Sequence, residues 1–293
     1  MSFPSLSIIG ERINPGFASA KKLIEARDVA GLQELARVQA GKGAVMINVN
    51  LGCEVEKDPS FMTDMVKALQ AVTDLPLSFD SPSAAVQEAC LKVYDPAKSQ
   101  GRLPFVNSAA ETRWEVMSLR KHFAFGVLLM ASERLEDGNF IPNRSGVEVH
   151  DTARRLVDRI RCQHTSMPLG DIIIDVSLGP MASDTENLTR MAVDAVGLIG
   201  TDASLRGTHM SVGLSNLGIM LPKKEVAGLP IGLALECAFL TTVVPLGLDR
   251  ALATAGRAYQ SLPEGHPALD TFRACIAADG YDSLLRLRKL YAA

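Results

Sequence analysis

The 293-residue sequence predicts an α/β fold of one kind, a single (β/α)8 TIM barrel. Two observations carry that expectation. Short apolar or β-branched runs alternate with amphipathic stretches along nearly the whole chain, the pattern of repeated βα units. No Gly/Ser/Pro-rich linker divides the chain and no GxGxxG follows the first run, so a closed parallel barrel is favoured over an open, dinucleotide-binding sheet.

The elements follow in order. The first strand is read in LSIIGERI, before helical periodicity across SAKKLIEARDVAGLQELARVQAGKG. AVMINVNLG precedes SFMTDMVKALQAV, LPLSFDS precedes SAAVQEACLKVY, and LPFVNSA precedes ETRWEVMSLRKHF. FGVLLMA leads into DTARRLVDRIRCQH, and DIIIDVSLG into TENLTRMAVDAVGLIG. The seventh strand, in HMSVGLSN, precedes KEVAGLPIGLALECAFL, and the eighth is read in TTVVPLG. DRALATAGRAY and LDTFRACIAADGYDSLLRLRKLYAA then read as closing helices over about 250–293, so residues 1–293 form one expected domain.

Composition removes several function classes. With 33 acidic and 30 basic side chains the net charge is −3, which leaves no cationic excess for a nucleic-acid backbone. No basic stretch leads into a sustained apolar run at the N-terminus, and no segment approaches the roughly 18 apolar residues of a membrane span, so a soluble cytoplasmic protein is expected. Five scattered cysteines without a CxxC pair argue against a disulfide framework or a closed zinc site. Cys162 and His164 are two apart on an expected helix and point in different directions. No metal site is expected.

A barrel places its chemistry where strands end. The strand ends here carry Glu11 and Asn14, Asn48 and Asn50, Asp80, Asn107, Ser132, Asp175, and Ser215 with Asn216. Each has an ordinary alternative. Asp80 and Ser81 precede Pro82 and could cap a helix. Ser108 and Glu111 have capping-box spacing, which leaves Asn107 over. Asn216 could be a left-handed turn residue, although Gly213 and Gly218 stand nearby for that purpose. Asp175 follows an isoleucine run, and a carboxylate entering an apolar mouth needs a partner. The histidines are scattered singly and receive no chemistry. Carboxylates and amides without a histidine dyad, lysine nucleophile or phosphate cradle suit the edge of a flat heterocycle: an Asp accepts two parallel hydrogen bonds from a ring N–H and an amino group, and an Asn both donates and accepts. A 2-amino-4-oxo pterin has such an edge.

GERINPG, INVNLG, FDSPS, VNSAAE, IIDVSLGP and VGLSNLG, in this order over nearly the whole chain, resemble the pterin-binding methyltransferases that exchange a methyl group between tetrahydrofolate and a corrinoid protein. These are similar in fold to dihydropteroate synthase and to the folate module of cobalamin-dependent methionine synthase. The resemblance implies that Asp175 binds the N3 and 2-amino edge of the pterin, that Asp80 and Asn107 hold its other donors and acceptors, and that Gly213 and Ser215 line the ring. Asn216 matches the asparagine near N5, the methyl-bearing atom, and is the implied catalytic residue. Glu11 and Asn14 match the first-strand motif. Two departures are Asn48, where relatives often carry an acid, and Pro245, after the expected eighth strand. The implied substrate is tetrahydrofolate or 5-methyltetrahydrofolate. No DxHxxG corrinoid motif occurs, so the cobalamin is expected on a separate corrinoid protein and not on this chain. A homodimer is expected by resemblance. The alternatives are a dihydropteroate synthase-type enzyme and a pterin-binding protein without turnover.

Overall fold

The computed structural model describes residues 2–53 and 58–292. Its strands are β1 (Ser7–Ile13), β2 (Ala44–Val49), β3 (Leu77–Asp80), β4 (Phe105–Ala109), β5 (Gly126–Met130), the hairpin β6 (Glu133–Glu136) and β7 (Asn139–Pro142), then β8 (Ile172–Asp175), β9 (His209–Ser211), the small hairpin β10 (Glu225–Val226) and β11 (Leu229–Pro230), and β12 (Arg250–Ala253). Eight of them form one parallel sheet in the order β12-β1-β2-β3-β4-β5-β8-β9. A bridge between Gly213 and Leu252, with Leu252 N–H donating to Val212 O at 2.9 Å, brings the last two strands together and makes the sheet a (β/α)8 barrel.

The helices are α1 (Ala18–Glu25), α2 (Val29–Gly41), α3 (Pro59–Leu69), α4 (Ala84–Val93), α5 (Gly146–Gln163), α6 (Leu188–Thr201), α7 (Ile231–Val243), α8 (Pro267–Ile276) and α9 (Gly280–Ala292). The long first helical stretch is two helices: Arg27 takes a left-handed φ of 50°, and Asp28 caps α2 by accepting from Gly31 N–H at 2.9 Å. ETRWEVMSLRKHF forms a 3-10 segment (Glu111–Lys121) interrupted at Arg113. No capping box forms there, because the Ser108 hydroxyl instead accepts from Arg113 (3.3 Å) and the Glu111 carboxylate from Leu135 N–H (2.9 Å) and Arg155 (2.7 Å).

The eighth strand lies elsewhere than expected. TTVVPLG continues α7, where Thr241 and Thr242 donate back to the carbonyls of Cys237 and Ala238, and then turns through Val244–Leu246. The strand is RALA, whose alanines favour a helix locally but which pairs with β1 from Ser7↔Arg250 to Gly10↔Ala253. Tertiary pairing overrides propensity here. Pro245 therefore precedes the eighth strand, on the side away from the strand ends.

Inside the barrel, Ile9, Met46, Leu128 and Ile173 form a small core of their own, with Phe105 and Leu252 against it. A second, larger core fills the space between sheet and helices. Gly126 faces the Phe105 ring so closely that a Cβ would come within 2.4 Å of it. Gly126→Ala should therefore destabilise the protein by about 1–3 kcal/mol through overpacking, checked by urea denaturation. An unchanged midpoint would show that the ring has room to move.

Candidate functional site

Strand alternation carries the inner core directly into the site, because a period of two returns each strand to the same face. Two residues beyond Ile9, Met46, Phe105, Ile173 and Leu252 stand Glu11, Asn48, Asn107, Asp175 and Thr254. An apolar plug is thus topped by a layer of carboxylates, amides and a hydroxyl at the strand ends. Asp80 joins it from β3.

Three of these residues form one chain of hydrogen bonds. Asn48, fully buried, donates from Nδ2 to Asp80 Oδ2 at 2.9 Å and accepts at Oδ1 from Asn107 Nδ2 at 3.1 Å. Both partners orient the amide. An acid at 48 would instead set a second carboxylate against Asp80. Asp80 does not cap α4; Ser83 does, accepting from Val86 N–H at 3.4 Å. The strand ends beneath are clamped by Gln87, whose Nε2 donates to the carbonyls of Phe79, Ser81 and Asn107 at 2.7, 2.9 and 3.2 Å.

Asp175 accepts from Ser177 N–H at 2.7 Å and from the Ser211 hydroxyl at 3.3 Å. Burial pushes its carboxyl up to about 6, and the Asp80 charge adds to that. Burial also raises Asp80, against the opposing hydrogen bonds of Asn48 and Asn50. Among the described residues neither carboxylate has a Lys or Arg partner.

Glu11 makes a second group with residues from the last two strands. It accepts from Ser215 at 2.9 Å and Thr254 at 3.2 Å, and desolvation lifts it to about 7. Behind it lies Glu236, a lone acid in the apolar helix α7 and 1 % exposed. Its Oε1 pairs with Arg257 at 3.0 Å, its Oε2 has no partner, and burial with the Glu11 charge nearby brings it to about 7.

Asn216 is exposed on the 3-10 turn Leu214–Gly218 and does not take a left-handed conformation. Its amide folds over Gly213, where a Cβ would come within 2.9 Å of Nδ2. A side chain at 213 would therefore displace the Asn216 amide, while the φ there, −75°, is open to any residue. Asn14 acts locally, accepting from Gly16 N–H at 2.8 Å, whereas Asn50 accepts from Gly52 N–H at 2.8 Å and also hydrogen-bonds to Asp80. Ser132 receives Asn143 N–H on its carbonyl. His209 pairs with Asp249 at the start of β9, away from the site.

The structure brings together Glu11, Asn48, Asp80, Asn107, Asp175, Gly213, Ser215 and Asn216 around the strand ends. It adds Ser211, Thr254, Glu236 and Arg257. The last three were hidden by the misplaced eighth strand and by a helix read only for its apolar face. A cleft of about 670 Å3 lies elsewhere, between β6 and α5; its Arg155 pairs with Glu111 and its Arg134 with Glu148. Among the described residues, no three or more His, Cys, Asp or Glu side chains are grouped to hold a metal, and no helix is long and apolar enough to cross a membrane.

Residues 11–249 match the family of pterin-binding enzymes, and the chain belongs to it. It is 27 % identical over 256 residues to the methylcorrinoid:tetrahydrofolate methyltransferase of Eubacterium limosum, covering 84 % of this chain and 83 % of that one. Among solved structures it is similar to dihydropteroate synthase from Xanthomonas albilineans bound to 7,8-dihydropteroate (21 % identity, TM-score 0.56, 95 % and 96 % of the two chains). The dihydropteroate synthase of Thermus thermophilus is similar at 19 % identity and a TM-score of 0.55, over 94 % and 96 %. At these identities the two synthases share the fold.

The raised carboxyls predict a pH dependence. Asp175, Glu11 and Glu236 hold protons in the folded state that the unfolded chain releases in the ordinary carboxylate range. Their contribution is fully present below that range and is lost as pH rises through about 6 to 7. The Tm of the ligand-free protein should fall between pH 5 and pH 8, and Glu236→Gln should flatten the fall. A Tm that rises over this interval would contradict the assignment.

Proposed function

We propose that this protein transfers a methyl group between N5 of tetrahydrofolate and the cobalt of a corrinoid carried on a separate protein; its Eubacterium limosum relative is named for a methylcorrinoid and tetrahydrofolate. One observation carries the reading: two desolvated carboxylates, Asp80 and Asp175, converge with oriented amides at the mouth of a pterin-binding barrel and find no cation partner among the described residues. They need hydrogen-bond donors from a ligand. The pterin edge offers them.

In this reading Asp175 accepts from N3–H and the 2-amino group, while Asp80 and Asn107, set by Asn48, take the remaining ring atoms. Gly213 and Ser215 line the ring, and Glu11 fixes Ser215 from behind. Asn14 belongs to the entry loop. Asn216 lies beside N5. A tertiary amine releases its methyl group only when nitrogen gains positive character, and an amide dipole already aimed at that atom stabilises the charge without moving a proton of its own. The same contact serves both directions, since one transition state governs them. The corrinoid supplies the nucleophilic or methyl-bearing cobalt. The reading takes residues 1–293 as one domain of a cytoplasmic homodimer.

The test is to titrate pterin and then add methylated corrinoid protein while following the corrinoid spectrum. Binding followed by methyl transfer supports the enzyme, and binding alone would reduce the protein to a pterin carrier. Asp175→Asn should weaken pterin binding by roughly 2–4 kcal/mol, since ring donors would lose a charged acceptor in a desolvated site; an unchanged Kd would put the pterin elsewhere. Asn216→Ala should keep pterin affinity within about tenfold while the transfer rate drops on the order of a hundredfold or more. Stopped-flow rates and separately measured affinities make the comparison. Equal losses in both would make Asn216 a binding residue only.

A further inference from the structure

Two buried acids share one cation behind the turn that bears Ser215 and Asn216. Glu236 meets Arg257 at 3.0 Å. Glu11, 4 % exposed, bonds among the described residues only to hydroxyls, those of Ser215 and Thr254. The negative charge therefore settles on Glu236, where a cation touches it, and the proton on Glu11. Burial of Glu11 acts in the same sense. The other groups around the pair leave that division in place. Arg12 follows Glu11 in β1 and so points to the opposite face, where it donates to Ser19 at 3.1 Å and its Cζ lies 4.2 Å from the centre of the Phe17 ring; its charge opposes the rise of Glu11 from a distance. Burial raises the Cys237 thiol and the Tyr259 phenol, so both keep their protons at neutral pH.

A hydroxyl held by a carboxyl group has two polarities. When Glu11 is ionised it can only accept, so Ser215 donates to it across the 2.9 Å contact and has only lone pairs left for the ring. When Glu11 is protonated, its own O–H donates to Ser215 Oγ, and the Ser215 hydrogen is free to turn toward the ring. The two folates of the reaction differ at the matching atom. N5 of tetrahydrofolate carries a hydrogen, and N5 of 5-methyltetrahydrofolate carries none. Each methyl group moved therefore requires one proton to be exchanged at N5.

We propose that Glu11 stores this proton, that Ser215 passes it to and from N5, and that Glu236 is the positioning residue that keeps it on Glu11. The inference rests on the reading that puts Ser215 and Asn216 at the N5 edge of the pterin. In demethylation the N5–C bond breaks with its electron pair left on N5, and the electron pair of the cobalt forms the new bond to the methyl carbon. The Ser215 hydrogen moves to N5, and the Glu11 proton moves to Ser215 Oγ. Glu11 is left ionised, which suits the N5–H of the product, since the Ser215 lone pairs then face a donor. Methylation of tetrahydrofolate runs the same shifts backwards. Ser215 is the catalytic residue of this step and Glu11 acts through it. Glu236, by occupying Arg257, stops the guanidinium from drawing the proton off Glu11.

Calorimetry tests this without any corrinoid. The affinities of tetrahydrofolate and 5-methyltetrahydrofolate are measured from pH 5.5 to pH 8.5 and expressed as a ratio, in which the contacts of Asp175 to the shared N3 and 2-amino edge cancel. The preference for tetrahydrofolate should grow about tenfold as Glu11 ionises through about 7, because the Ser215 lone pairs then face a donor in one ligand and a lone pair in the other. Glu11→Gln, which cannot ionise, should make the ratio independent of pH. Glu236→Gln leaves Arg257 to act on Glu11 alone and should move the midpoint of the change down by about one pH unit or more. A residue that only braced the fold would lower both affinities and leave the midpoint where it was. A ratio that does not vary with pH in the unaltered protein, or a midpoint that Glu236→Gln fails to lower, would overturn the proton store and leave the methyltransferase reading standing. Failure of both folates to bind would overturn both.

Discussion

Two carboxylates with no counter-charge among the described residues set the terms for this barrel. Asp80 and Asp175 are carried into a desolvated mouth by strands whose inner faces are otherwise apolar. Isolated charge in such surroundings is costly. The structure meets part of that cost with neutral donors: the Asn48 amide for Asp80, and the Ser177 N–H with the Ser211 hydroxyl for Asp175. It leaves the rest as unused acceptor capacity aimed at the mouth. Gln87, by clamping three carbonyls at the ends of β3 and β4, keeps these acceptors in register before any ligand arrives.

The Glu11 and Glu236 group extends the same logic one layer back. A single arginine serves two buried acids, so one proton is retained near neutrality and the group stays close to uncharged as a whole. Through Ser215 it supports the turn that bears Asn216, and through Gly218 the turn packs on α7. Stability is lost at both layers when the carboxyls ionise.

The fold was legible because β and α periodicities alternate so regularly, and most residues of the candidate site were legible because strands end in Asn and Asp where an apolar run would otherwise continue. The failures have separate causes. RALA is too short and too alanine-rich to read as a strand, and only its pairing with β1 and its contact with Val212 make it one. TTVVPLG has β-branched residues that are locally strand-like but form the last turn of α7 and the 3-10 turn that follows it. The hairpin β6–β7 was missed although Asp137-Gly138 carries its turn signal, with φ of 51° and 79°. Asn14 sits in the right motif and yet serves its own loop. Glu236 carried a signal that went unread, a lone acid between Leu235 and Cys237.

The central claim is that Asp175 waits, partly protonated, for the donors of a pterin edge. The most direct measurement is the number of protons exchanged on pterin binding at pH 6, obtained by calorimetry in buffers of different ionisation enthalpy, for the protein and for Asp175→Asn. Two ring donors favour the ionised carboxylate, so a group near 6 must give up a proton when the pterin binds. The account predicts net proton release by the unaltered protein relative to Asp175→Asn, with pterin affinity rising between pH 5 and pH 7. Identical proton exchange by the two proteins would contradict it.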